Sequence, residues 1–107
     1  GDGQVIFEAA DTYSVSTSHA EISLLDSTGN GTPVVFLHGN SSCKEIFEPQ
    51  IRAFGFDHRV VAIDLPGHGA SSNATEPQRS YSLPGYAECV LETLDALGIE
   101  QAVIVGW

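Results

Sequence analysis

The sequence predicts an α/β fold with a mostly parallel sheet, on three observations. Three apolar runs of strand length, Val34-Val35-Phe36-Leu37, residues 59–65 and residues 101–105, lack the in–out alternation of a half-exposed strand. They therefore read as strands covered on both faces. Amphipathic segments of helical spacing separate them, and each run ends in a turn that carries glycine. Strands alternating with helices build βαβ crossovers, which leave ligand chemistry at the carboxyl ends of the strands.

The elements follow in order. Tyr13 to Asp26 has β-branched residues with partial alternation and reads as two short antiparallel strands around Ser18-His19-Ala20. A turn rich in Ser, Thr, Gly, Asn and Pro spans residues 27–33. After the first buried strand, Ser41 or Ser42 is the expected cap of a helix over residues 44–54, in which Pro49 favours a start near Glu48. The second buried strand leads into Pro66-Gly67-His68-Gly69 and a polar loop running to Ser82. A helix over residues 83–97 follows, with Leu83, Tyr86, Val90, Leu94 and Leu97 on one face, Pro84 in its first turn and Gly98 closing it in the left-handed conformation. A third buried strand ends at Gly106-Trp107.

Composition narrows the function. The 107 residues are 42% hydrophobic and 17% charged, as in a globular domain. Four Lys and Arg against a formal charge of −10 cannot form a phosphate-binding stripe, so nucleic acid and anionic membrane surfaces are not expected partners. No apolar run approaches the roughly 20 residues of a membrane helix. No basic segment followed by an apolar core opens the chain, so no signal peptide is read. Cys43 and Cys89 lack metal-ligand spacing and read as free thiols, which suits the cytoplasm.

Two segments carry candidate chemistry. In His38-Gly39-Asn40-Ser41-Ser42, glycine permits a sharp turn after the strand, leaving backbone N–H groups to stabilise an oxyanion or simply to end the strand. His38 reads as an orienting, hydrogen-bonded histidine rather than a general base. In Asp64-Leu65-Pro66-Gly67-His68-Gly69, Asp64 and His68 offer a carboxylate–imidazole pair, but the favoured reading is structural: the carboxylate accepts N–H bonds from a glycine-rich loop. No metal site is expected from His38, Asp64 and His68, and no cofactor is implied. His19 and His58 sit beside turns and are given no role.

His-Gly after one strand, Asp-x-x-Gly-x-Gly-x-Ser after the next and Gly-Trp after the third together resemble the α/β-hydrolase superfamily. In that family the third strand leads into Gly-x-Ser-x-Gly, with the nucleophile on a strained turn. The resemblance implies that residues 1–107 are the N-terminal portion of a single α/β-hydrolase domain. Gly106-Trp107 would open the nucleophile turn, and the nucleophile, acid and histidine would lie after residue 107. A narrower resemblance is to N-acyl homoserine lactonases of this fold. It rests on His38-Gly39-Asn40-Ser41-Ser42, Ile46-Phe47 with Pro49-Gln50, Asp64 to Gly69, Arg79-Ser80-Tyr81-Ser82 with Gly85-Tyr86-Ala87, Leu97-Gly98-Ile99 and Gly106-Trp107. It implies hydrolysis of an ester or lactone, with the Asn40 backbone N–H on the oxyanion and its side chain on the substrate. Phe47 and Trp107 would then wall an acyl pocket or pack in the core. A carboxylesterase, a cofactor-free haloperoxidase, a haloalkane dehalogenase and a non-catalytic binding protein of the same fold are the alternatives.

Overall fold

A computed structural model describes residues 10–39, 42–55 and 57–106. Asn40 and Trp107 lie outside the described residues. The strands are β1 (Asp11–Ser16), β2 (Glu21–Asp26), β3 (Val34–Leu37), β4 (Val60–Ile63) and β5 (Val103–Gly106), and the helices are α1 (Glu48–Phe54), α2 (Pro77–Ser80) and α3 (Leu83–Ala96). A single 3-10 turn, Lys44–Phe47, runs into α1.

One mixed sheet has the order β1-β2-β4-β3-β5. The β1–β2 hairpin pairs antiparallel from Asp11↔Asp26 to Ser16↔Glu21, and β2 adds antiparallel to β4. Strand β3 lies between β4 and β5, parallel to both. This is the arrangement expected from the sequence: an antiparallel N-terminal hairpin followed by parallel strands and crossovers. Because successive side chains point to opposite faces, the sheet feeds two cores. Ile22, Leu24, Val35, Val61 and Ile63 meet Cys89, Val90 and Leu94 of α3 on one face. Leu25, Val60 and Ala62 meet Phe47 and Ile51 on the other. Helices on both faces explain why β4 is buried at every position and shows no alternation.

Four expectations change. Strand β5 is not covered: Val103 and Ile104 are exposed, because β3 is its only ladder partner among the described residues and an open groove runs along it. The cap of the Lys44–Phe47 turn is Cys43, with no side-chain bond, rather than Ser41 or Ser42, and Pro49 falls in the first turn of α1, where its missing N–H costs no helical bond. The polar loop contains α2, which also begins on a proline. In α3 Leu83 is 85% exposed, although Val90 and Leu94 are buried. The Ser82 hydroxyl caps α3 by accepting from the Gly85 N–H at 3.1 Å, and Gly98 closes it at φ 72°.

Candidate active site

Register brings the motifs together. Leu37 pairs with Ile63 on one side and with Gly106 on the other, so His38, Asp64 and the end of β5 emerge side by side at the carboxyl edge of the parallel strands. The β1–β2 turn reaches the same edge, because β2 runs antiparallel to β4.

His38 is buried, and its Nδ1 lies 2.7 Å from the carbonyl oxygen of Gly39 while its Nε2 accepts the Leu65 N–H at 3.0 Å. A carbonyl can only accept, so Nδ1 carries the proton and the ring is neutral. Burial holds the His38 imidazolium below the ordinary histidine range, and the neighbouring His68 ring, 5.0 Å away between centroids, acts in the same direction. Both nitrogens are thus engaged by backbone.

Asp64 is wholly buried. Its Oδ1 accepts the Lys44 N–H at 2.7 Å, and its Oδ2 accepts Lys44 Nζ at 2.7 Å and the Ala70 N–H at 2.9 Å. Its carbonyl accepts the Ser71 hydroxyl, which in turn accepts the Ser23 N–H, so one serine links the loop to β2 and β4. Gly67 and Gly69 have φ of 77° and 52°, and a Cβ on Gly69 would collide with the Asp64 carboxylate. A Cβ on Gly67 would collide with the Tyr81 hydroxyl, which accepts the Ala74 N–H. His68 turns its Nδ1 toward the Pro66 carbonyl oxygen, 3.0 Å away, and Asp64 makes its bonds to Lys44 and Ala70.

Beside this edge lies an open groove of about 620 Å³, lined mainly by Leu37, Leu65, Leu83, Val90, Leu91 and Ile104, with His38 at its wall. Phe47 is not part of it: the ring is buried on the opposite face, stacked on Phe36 at 4.8 Å.

His19 has a partner network that its position beside a turn did not suggest. It is fully buried, with Nδ1 2.7 Å from the Ser80 hydroxyl and Nε2 2.7 Å from Glu88 Oε1. Arg79 lies 2.8 Å from Glu88 and 3.9 Å from Glu92, and Ser18 donates to Glu92 from both its N–H and its hydroxyl. His19, Glu88 and Glu92 bring potential metal ligands within 4.8 Å of one another, and the Arg79 guanidinium beside them offsets one of the two carboxylate charges. The cluster ties the β1–β2 turn to α2 and α3. Partners 61 and 69 residues away left no local signal in the sequence.

The model of the alpha/beta hydrolase fold family matches residues 32–107, from the turn before β3 through the end of β5. The chain belongs to the α/β-hydrolase family. Among relatives of this chain, a haloalkane dehalogenase of Agrobacterium fabrum is 31% identical over 98 residues, covering 92% of this chain and 31% of the dehalogenase. Epoxide hydrolase 4 of Mus musculus is 36% identical over 77 residues, covering 71% of this chain and 21% of that protein. The crystal structure of the N-acyl homoserine lactonase AidH complexed with N-butanoyl homoserine superposes with a TM-score of 0.87 at 46% identity, covering 91% of this chain and 36% of AidH. The chain therefore spans a fifth to about a third of the length of these proteins. No described helix is long and apolar enough to cross a membrane.

Proposed function

We propose that the full-length protein is a serine hydrolase of carboxylic esters or lactones, and specifically an N-acyl homoserine lactonase acting without a metal. The observation that carries this is the register placing the His38 turn, the Asp64 loop and Gly106 at one sheet edge. The 46% identity to AidH supports the lactone substrate. In this reading residues 1–107 are the N-terminal portion of a single domain, and a serine following Trp107 attacks the lactone carbonyl. The Asn40 N–H receives the developing oxyanion, a contribution worth about 2.7–4 kcal/mol for one such donor. Histidine and an acid from later in the chain activate the serine, and water hydrolyses the acyl-enzyme. His38, Gly39, Asp64, Gly67, Gly69 and Gly106 shape the turns, and Asn40 and Trp107 contact substrate. For Phe47, its stacking on Phe36 favours the core-packing reading. The free thiols of Cys43 and Cys89 suit a cytoplasmic location.

The test is turnover by the full-length enzyme of acyl homoserine lactones beside simple aryl esters, with and without exhaustive chelation. Lactone opening that survives chelation and stops with a serine-directed covalent inhibitor supports the proposal. Ester hydrolysis without lactone opening defeats the lactonase assignment, and loss on chelation defeats the serine mechanism. Asn40→Ala keeps its N–H and loses its side chain, so KM should rise and kcat fall, together worth about 1–3 kcal/mol. Unchanged lactone kinetics would remove Asn40 from the substrate site. The second reading is a haloalkane dehalogenase, favoured by 31% identity to one over most of the chain. Aspartate rather than serine after Trp107, together with halide release from haloalkanes, would establish it.

A further inference from the structure

An ammonium taken out of water without a partner is expensive, so lysines normally keep their charged end solvated. Lys44 does not: it is 2% exposed. Its Nζ and its own backbone N–H each donate to Asp64, to Oδ2 and Oδ1 respectively, both at 2.7 Å, and Nζ lies 3.1 Å from Glu45 Oε2. One residue thus grips both oxygens of a buried carboxylate, from main chain and side chain. Burial works against the Lys44 ammonium, but the bonds to Asp64 and Glu45 outweigh it and raise its pKa above the ordinary lysine value. Six residues earlier, His38 accepts the N–H of Leu65, the residue after Asp64. His38 and Lys44 are therefore tied to two consecutive residues at the end of β4.

We propose that Lys44 is a positioning residue, whose buried ammonium locks the Asp64 carboxylate and thereby fixes the strand-end segment that begins at His38. The inference rests on the hydrolase reading only for its catalytic consequence, since that segment carries the proposed oxyanion donor. Any residue except proline would supply the backbone bond to Asp64. The side chain adds a second, charge-assisted bond to the other oxygen, which stops the carboxylate from rotating and leaves Ala70 with a fixed acceptor. Without the ammonium, the buried Asp64 side chain has two N–H donors in place of three, so the segment loses one of its restraints.

The experiment compares full-length wild type with Lys44→Met by amide hydrogen exchange at residue 44, Leu65 and Ala70, whose N–H groups donate to Asp64 or His38, and by kcat and KM on an aryl ester and an acyl homoserine lactone. Exchange at those amides should accelerate roughly tenfold or more while Val90 to Leu94 of α3 keep their protection. In the same variant kcat should fall about tenfold with KM within about twofold, the signature of an interaction that acts in the transition state. Unchanged exchange at the three amides overturns the proposal, and so does equal acceleration in α3, which would mean general loosening. Lys44→Gln keeps a donor and loses the charge, so it decides the matter if Lys44→Met fails to fold: local acceleration supports the proposal and wild-type protection overturns it. If the wild type opens neither substrate, the hydrolase reading fails while exchange still decides the role of Lys44.

Discussion

His38 Nε2 accepts a backbone N–H only while the ring is neutral, which makes this residue the point where acid enters the site. Its folded pKa is depressed from the ordinary 6.5, so the unfolded chain binds the extra proton first. Stability present above about pH 6.5 should therefore decline as pH falls below it. Thermal melts of the full-length protein between about pH 7.5 and 5.5 should show a smaller drop for His38→Gln, whose amide oxygen accepts the Leu65 N–H at any pH. A second residue-scale prediction concerns Asp26, at the other end of the sheet. It is buried and accepts from Tyr13, Thr28 and Arg59, the last at 2.8 Å. Burial alone would raise its pKa, but Arg59, Tyr13 and the Thr28 N–H together hold it below the usual carboxylate value, and burial with Asp26 beside it pushes Tyr13 up to about 12. Arg59→Met should cost about 3 kcal/mol by chemical denaturation, since it strands a buried carboxylate beside a hydroxyl and one N–H. That penalty should shrink as pH falls through about 4 and the carboxyl takes up a proton.

At the scale of elements, α2 and α3 meet at Gly85, where an added Cβ would collide with the carbonyl oxygens of Arg79 and Ser80. Alanine is the better helix former by about 1 kcal/mol, so propensity alone favours Gly85→Ala. Close backbone approach should win, and the substitution should destabilise by about 2 kcal/mol, measured by denaturant titration. Replacing the Ser82 cap by alanine should cost about 1 kcal/mol. Both predictions concern the junction that His19 clamps through Ser80 and Glu88. The sequence displayed α3 and the strands β3 and β4 clearly, because their apolar patterns are local. It concealed α2, the burial of His19 and the burial of Lys44, because each depends on a partner distant in the chain. A lysine next to a turn reads as a solvated charge until the fold brings Asp64 against it. The strand-end turns at His38 and Asp64 were legible as glycine-bearing motifs, whereas the hydrogen bonds that link them to each other were not.

For the whole molecule, the groove between α3 and β5 is the feature that sets behaviour in solution. Leu83 is 85% and Leu91 63% exposed there, with Ile104 beside them, so large apolar side chains line an open groove at the uncovered end of the sheet. Expressed by themselves, these 107 residues should bind an apolar dye and lack a cooperative thermal transition, and a sharp monomeric transition would count against this. The apolar run 101–105 shows the limit of pattern reading: the residues are strand-forming as expected, but the pattern cannot report which flank the rest of the sheet leaves open. The strand order has a further consequence for how the chain emerges from a ribosome. Strand β3 is made early, yet its two neighbours in the sheet, β4 and β5, are made later, and Val34 pairs with Val103. At synthesis rates of about 5–20 residues per second, the 69 positions between those partners take roughly 3–14 s to appear. For that interval the edge of Val34–Leu37 that β5 will pair with has no partner, whether or not the other edge has already joined β4.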